Sequence, residues 1–119
     1  MLKAVSREEA VRYELPGRDW YHYCGPEITG AQHLTLGFAV FPVGSAPEGH
    51  LHPAQEETIY IVAGHGELVT PDGTVRLEQG VAVYIPIGLH HRTVSQGPGD
   101  LEMVTAFGPP VSPGSYEDQ

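Results

Sequence analysis

Glycine and proline punctuate this chain throughout, with fifteen glycines and eleven prolines among 119 residues. The apolar runs between them are short and recur roughly every eight to twelve positions, a spacing that argues for an all-β fold. Strands are expected near Trp20–Tyr23, His33–Phe41, Gly49–His52, Thr58–Ala63, Gly66–Thr70, Gly73–Leu77, Ala82–Ile85, His91–Ser95 and Leu101–Phe107. The Thr-Pro-Asp-Gly segment from Thr70 to Gly73 is a turn with a mechanism, since proline presets φ and glycine accepts a positive φ. One segment reads otherwise. Ser6-Arg-Glu-Glu-Ala-Val-Arg sets a serine three residues before a glutamate and predicts a short N-terminal helix.

Two segments carry the chemistry. The first runs from Gly44 through His50, His52 and Glu57 to Gly64, and the second from Gly80 through Pro86 and Gly88 to His91. His50 and His52 lie two apart, so on a strand both imidazoles leave the same face, about 6 to 7 Å apart along the backbone. Two such rings can converge on one ion at the usual distance of about 2.0 to 2.1 Å. Glu57 has the opposite parity, so the chain must reset its phase within His-Pro-Ala-Gln-Glu, where proline fixes φ and removes a donor. From there Glu57, Ile59 and Ile61 share the ligand face, and Thr58, Tyr60 and Val62 point outward. His91 must arrive from beyond the Pro86-Ile-Gly88 turn. A lone His-x-His pair is usually surface decoration, and it is the combination of both segments that raises specificity.

Written as spacings, the segments read Gly-x5-His-x-His-x4-Glu-x6-Gly and, fifteen residues later, Gly-x5-Pro-x-Gly-x2-His. This pattern resembles the two signature motifs of the cupin superfamily, in its small single-domain form, over about Leu34 to Phe107. The resemblance implies a β-barrel or jelly roll with an ion inside, held by His50, His52, Glu57 and His91. Glu56 is the near competitor of Glu57, and the spacing to Gly64 favours Glu57. The second motif often ends in Asn four residues after its histidine, where this chain has Ser95, which puts the local loop geometry in doubt more than the metal.

The length suits a single domain over residues 1–119, with the conserved barrel at about 34–107 and a loosely held tail over 109–119. There is no room for a second barrel or an added helix-turn-helix module. Fifteen acidic residues against six basic ones give a net charge of −9, which repels phosphate backbones, so no nucleic-acid partner is expected. With no run of eighteen apolar residues and no apolar N-terminal stretch, a soluble cytoplasmic protein without a membrane partner is the expectation. Cys24 is the one cysteine and reads as a small packed residue rather than a nucleophile.

Three histidines and one carboxylate leave two positions of an octahedral ion open to substrate or water. One divalent transition-metal ion is expected, with iron, manganese, zinc, nickel and copper all compatible. Such a site suits an enzyme of isomerase, lyase or dioxygenase type acting on a small oxygenated metabolite. The alternative is a non-catalytic, metal-dependent small-molecule binding protein. Ile59 and Ile61, with Phe38 or Val40, would give the pocket apolar walls; Thr93 and Ser95 share the parity of His91, and Tyr84 enters the second motif. His33, together with His22, Tyr21 and Tyr23, lies in segments that the resemblance places at the pocket mouth, against a competing reading as sheet surface. Few cations are expected there, which weighs against phosphorylated sugars. His90 reads as a rim or supporting residue, His65 as solvated, and Arg92 as an outward partner of some carboxylate. The outward apolar face and the resemblance together make a homodimer the expected state, with packing under the N-terminal segment as the competing reading.

Overall fold

Alternation governs the architecture, because each strand places every second side chain on one face. In the computed structural model, which describes residues 1–112 and 117–118, the strands in chain order are β1 (Val11–Leu15), β2 (Arg18–Cys24), β3 (Thr35–Phe41), β4 (His50–Leu51), β5 (Glu56–Ala63), β6 (His65–Thr70), β7 (Gly73–Glu78), β8 (Ala82–Ile85), β9 (Arg92–Ser95), β10 (Leu101–Gly108) and β11 (Glu117–Asp118). Six form one antiparallel sheet in the order β1-β2-β3-β10-β5-β8. Three form another in the order β7-β6-β9, and β11 pairs with β4. The result is the all-β jelly roll expected, and the nine expected strands each find a counterpart among these.

Inward residues of both sheets meet in one core that joins Phe41, Ile59, Ile61 and Met103 of the large sheet to Leu68 and Leu77 of the small one. Burying each such side chain stabilises the fold by roughly 1.5 to 3 kcal/mol. The passage from large to small sheet occurs at Gly64, between β5 and β6, where φ is +88° and an added Cβ would sit 2.3 Å from the Asp100 carbonyl oxygen. Only glycine fits that corner without displacing the strand that packs behind it.

The N-terminal helix does not form, and among the described residues there is no helix. Its capping box does form: the Glu9 N–H donates to Ser6 Oγ at 3.2 Å, and the Ser6 N–H to Glu9 Oε1 at 2.9 Å. The turn stops after one Ala10 N–H to Ser6 O bond of 2.9 Å, because Val11–Leu15 pairs with β2 instead. A single turn has met the cost of nucleation without the propagation that would offset it, and sheet pairing wins. At the other end, Val111 is buried and its N–H donates to Thr35 Oγ1 at 3.0 Å. Of the tail expected to be loosely held, residues 113–116 and 119 lie outside the described residues.

Outside the large sheet, Leu36, Tyr60, Val62 and Tyr84 are exposed. The N-terminal segment covers part of this face, where the Arg7 guanidinium lies 4.3 Å from the centre of the Tyr21 ring and 4.6 Å from that of Phe38. Among the described residues no helix is long and apolar enough to cross a membrane.

Candidate metal centre

Cross-strand pairing, more than sequence spacing, assembles the site. His50 and His91 are opposite one another in an isolated antiparallel bridge, exchanging N–H···O bonds of 3.0 and 2.8 Å. Residues so paired point to the same face, and the two ring centres are 4.5 Å apart. His52 follows on the same side, its ring 5.2 Å from that of His50, and its carbonyl accepts the Gly88 N–H at 2.9 Å, which ties the first segment to the second. The ligand nitrogens of His50, His52 and His91 all lie within 4.8 Å of one another.

Glu57 stands beside this cluster. It is buried on β5, and its Oε1 lies 3.5 Å from His52 Nε2 and 3.4 Å from His91 Nε2. Glu56 points out to solvent and accepts a 2.7 Å bond from the Tyr84 hydroxyl, so of the two glutamates it is Glu57 that stands beside the histidines.

Metal fit can be judged from the atoms that face one another. His91 Nδ1 lies 3.0 Å from the Leu89 carbonyl, which can only accept, so Nδ1 carries a proton. In the neutral ring Nε2 is then a bare lone pair, and it faces Glu57 Oε1, a buried carboxylate oxygen without a hydrogen bond of its own. Two acceptors 3.4 Å apart in a buried site repel unless a cation stands between them. A proton meets that need in part, and a metal ion shared with His52 and His50 meets it fully. The residues fit the group.

Protonation preferences agree. Burial pushes the Glu57 carboxyl up, but the pull of His52 and His91 overrides it and holds the group at about 2. Burial likewise pushes His91 down, and Glu57 with the Leu89 carbonyl more than restores it, so its pKa is raised. His50 is lowered to about 3 by burial first, then by the charges of His91, Arg18 and His52. It is therefore neutral at ordinary pH, the form in which an imidazole binds a metal.

A cavity of about 600 Å³, counting its open mouth, surrounds the cluster. Ile59 and Thr93 line it, together with Trp20, Phe41, Met103, Phe107 and Val111. Other expected lining residues sit elsewhere. Tyr84 pairs with Thr58 and shares its outward direction, leaving Val83 and Ile85 on the inner face; it is 59% exposed and borders a separate surface groove. His33 is exposed in the loop before β3 and does not line the cavity. Phe38 and Val40 have the parity opposite to the buried Ala39 and Phe41 and so face out. Ile61 is fully buried in the core beyond the cavity wall. Ser95 is buried but turned to the neighbouring loop, where its hydroxyl donates to Phe41 O at 3.2 Å and its N–H to Ser45 O at 2.8 Å.

Arg92 makes no salt bridge among the described residues. Its guanidinium donates to the carbonyls of Pro47 and Ala46, both at 3.1 Å, which steadies the loop leading into His50. The His90 ring packs over Gly49, where a Cβ would lie 2.3 Å from its Cε1. His65 is exposed and Cys24 is a free thiol 3.2 Å from Thr29 Oγ1. His22 is neither at the pocket mouth nor on the sheet surface: it is buried and stacked on Trp20, with ring centres 5.1 Å apart.

Arg18, Thr105 and Ser112 line the cavity and were not anticipated. A signal existed for Arg18. Alternation counted back from Trp20, whose bulk belongs inside, puts Arg18 on the same inner face.

Comparison with known proteins places this geometry in context. A family model described as the Cupin domain matches residues 37–107. Protein SchB of Streptomyces halstedii is 32% identical over 84 residues, 71% of this chain and 61% of that protein. Polyketide synthase CurC of Streptomyces cyaneus is 31% identical over 84 residues, 71% of this chain and 54% of that protein. The chain thus spans less than two thirds of the length of either relative. Among solved structures, Pac13 of Streptomyces, described as a nucleoside dehydratase and seen with uridine, superposes with a TM-score of 0.82 at 17% identity, covering 100% of this chain and 92% of that one. At that identity the likeness is one of fold.

Proposed function

The chain belongs to the cupin family, and on that premise we propose that it is a single-domain, metal-dependent enzyme that acts on a small oxygenated metabolite by isomerase, lyase or dioxygenase chemistry. His50, His52, His91 and Glu57 would hold one divalent iron, manganese, zinc, nickel or copper ion. Bound there, the ion would supply Lewis-acid polarisation of a substrate oxygen or, if redox-active, a meeting point for substrate and dioxygen. The observation that carries this reading is the buried Glu57 oxygen facing the Nε2 atoms of two histidines, one of which has its tautomer set by Leu89.

The chain's own residues supply the rest. Trp20, Phe41, Phe107 and Val111 exclude water from the cavity and strengthen polar contacts within it. Thr93 and Thr105 offer hydroxyls to orient a substrate, and Thr105 is itself held by the Trp20 indole N–H at 2.9 Å. That Pac13 was seen with uridine and described as a dehydratase supports small-molecule chemistry in a barrel of this shape.

One observation favours a second reading, a non-catalytic metal-dependent binding protein. Among the described lining residues, Glu57 and the three histidines apart, there is no carboxyl, imidazole, thiol or phenol to act as a general acid or base. Metal-loaded protein offered enolisable ketones, sugars and diketones separates the readings: turnover of any one supports the enzyme, and tight binding without consumption supports the binding protein. A homodimer through the exposed Tyr60, Val62 and Tyr84 face belongs to the same proposal. Sedimentation of the wild type against Tyr60→Glu, which would leave only monomer, checks it.

A further inference from the structure

One hydrogen bond in the cavity wall has a single possible direction. Trp20 Nε1 and Thr105 Oγ1 lie 2.9 Å apart, and both residues are buried and line the cavity that holds the three histidines and Glu57. An indole N–H can only donate, so the Thr105 oxygen accepts. That leaves the Thr105 hydroxyl proton, for which no acceptor stands among the described residues. A buried donor left unmade is costly, so this proton is directed at whatever occupies the cavity.

Strand register and a missing side chain make the bond possible. Trp20 pairs with Ala39 on β3, whereas Thr105 lies one strand further, on β10 opposite Gly37. The indole reaches it by crossing β3 over Gly37, where an added Cβ would fall inside the ring. Gly37 has no positive φ, so close approach is what requires glycine there. The rings of His22 and Tyr13, centred 5.1 and 6.2 Å from the indole, pack against it and hold its direction. Thr105 also pairs with Ile59, one same-face step from the Phe107–Glu57 pair, which makes it a diagonal neighbour of Glu57 at about 7 to 8 Å between Cα atoms. A small molecule can therefore meet the ion with one oxygen and Thr105 with another.

We infer that Thr105 is a specificity-determining residue that donates its hydroxyl proton to a carbonyl oxygen of the substrate, so that the site takes small hydroxyketones and related compounds whose second oxygen function meets the ion. This rests on the metal-centre reading above and narrows its oxygenated metabolite to one with two oxygen functions. A carbonyl is favoured over a second hydroxyl because it brings no proton of its own to be satisfied among walls that include Trp20, Phe41 and Met103.

The test is NMR titration of zinc-loaded protein with two matched pairs that differ in C=O against C=CH2: hydroxyacetone with methallyl alcohol, and 4-hydroxybutanone with isoprenol. Thr105→Val is expected to weaken binding of the hydroxyketones about three- to tenfold and to leave that of the alkenols unchanged, and Thr105→Ser to recover most of the loss. A second readout needs no variant, because Trp20 is the chain's single tryptophan and gives one indole N–H resonance. A hydroxyl that donates becomes a better acceptor, so hydroxyketones should move that resonance downfield in the wild type and alkenols should not. Loss of both members of a pair alike in Thr105→Val is the mark of a merely structural role and overturns the inference. So does hydroxyketone binding that Thr105→Val leaves intact, an indole resonance that hydroxyketones do not move, or a wild type that binds neither hydroxyketone. Zinc content of the same samples separates the two claims: a wild type that takes up no zinc defeats the metal-centre reading, whereas zinc-loaded protein without the carbonyl preference defeats this inference alone.

Discussion

Two buried histidine environments in this barrel look alike by burial and differ in everything else. His91 sits with His50 and His52, where three imidazoles converge, and its Nε2 faces the buried carboxylate of Glu57 at 3.4 Å. His22 lies flat on Trp20, more deeply buried at 1% exposure, and its Nε2 has no hydrogen bond, with the exposed Glu27 3.9 Å away. The contrast teaches that burial of a histidine is not itself a sign of function. Convergence is: several acceptors aimed at one point make sense only with a cation there, whereas one ring against an indole is satisfied mainly by packing.

The largest expected effect breaks the first environment and leaves the second alone. His52→Ala and His91→Ala should each weaken divalent-metal affinity by about a hundredfold or more, measured by competition with a chromophoric chelator. His22→Phe should leave that affinity unchanged. Equal losses in all three would erase the distinction. Next in size, Glu57→Gln keeps the shape but removes the charge, and metal affinity should fall about 10- to 100-fold in the same assay.

Acid sharpens the comparison. His50 and His22 have folded values below the ordinary histidine value of 6.5, His50 at about 3, so the stability that each contributes as a neutral ring is present above 6.5 and lost as pH falls through that window. Glu57 acts in the same direction between 4.5 and about 2. His91 has the opposite sign: its raised value contributes stability below 6.5 that is lost as pH rises through its folded value. The melting temperature of metal-free protein should therefore fall as pH is lowered from 6.5 to 3. In His22→Phe the fall should be smaller. A profile flat in acid would contradict both assignments. The smallest effect is expected of His65→Ala, exposed at the start of β6, with stability within about 0.5 kcal/mol of wild type by chemical denaturation and metal affinity unchanged.

Much of this was legible in the sequence because it depends on period and punctuation. The parity of Glu57, Ile59 and Ile61 against Thr58, Tyr60 and Val62 reappears as alternating burial along β5. What was not legible depends on which strands become neighbours. The bridge that sets His50 beside His91 joins residues forty-one positions apart, and no local pattern announces it. Tyr84 was misplaced for the same reason, since its direction follows from pairing with Thr58 rather than from its approach to the second motif. The N-terminal helix failed where a local signal, the Ser6–Glu9 capping box, was real but could not compete with pairing of Val11–Leu15 to β2. Arg18 was overlooked because charge was counted over the whole chain, and a net charge of −9 says nothing of which face of a strand one cation occupies.

The central claim is a single ion held by His50, His52, His91 and Glu57. Elemental analysis of protein purified without added metal or chelator tests it most directly. The account predicts about one transition-metal ion per chain in the wild type and none in His91→Ala. Metal-free wild type that also stays metal-free after incubation with iron, manganese, zinc, nickel and copper salts would contradict it.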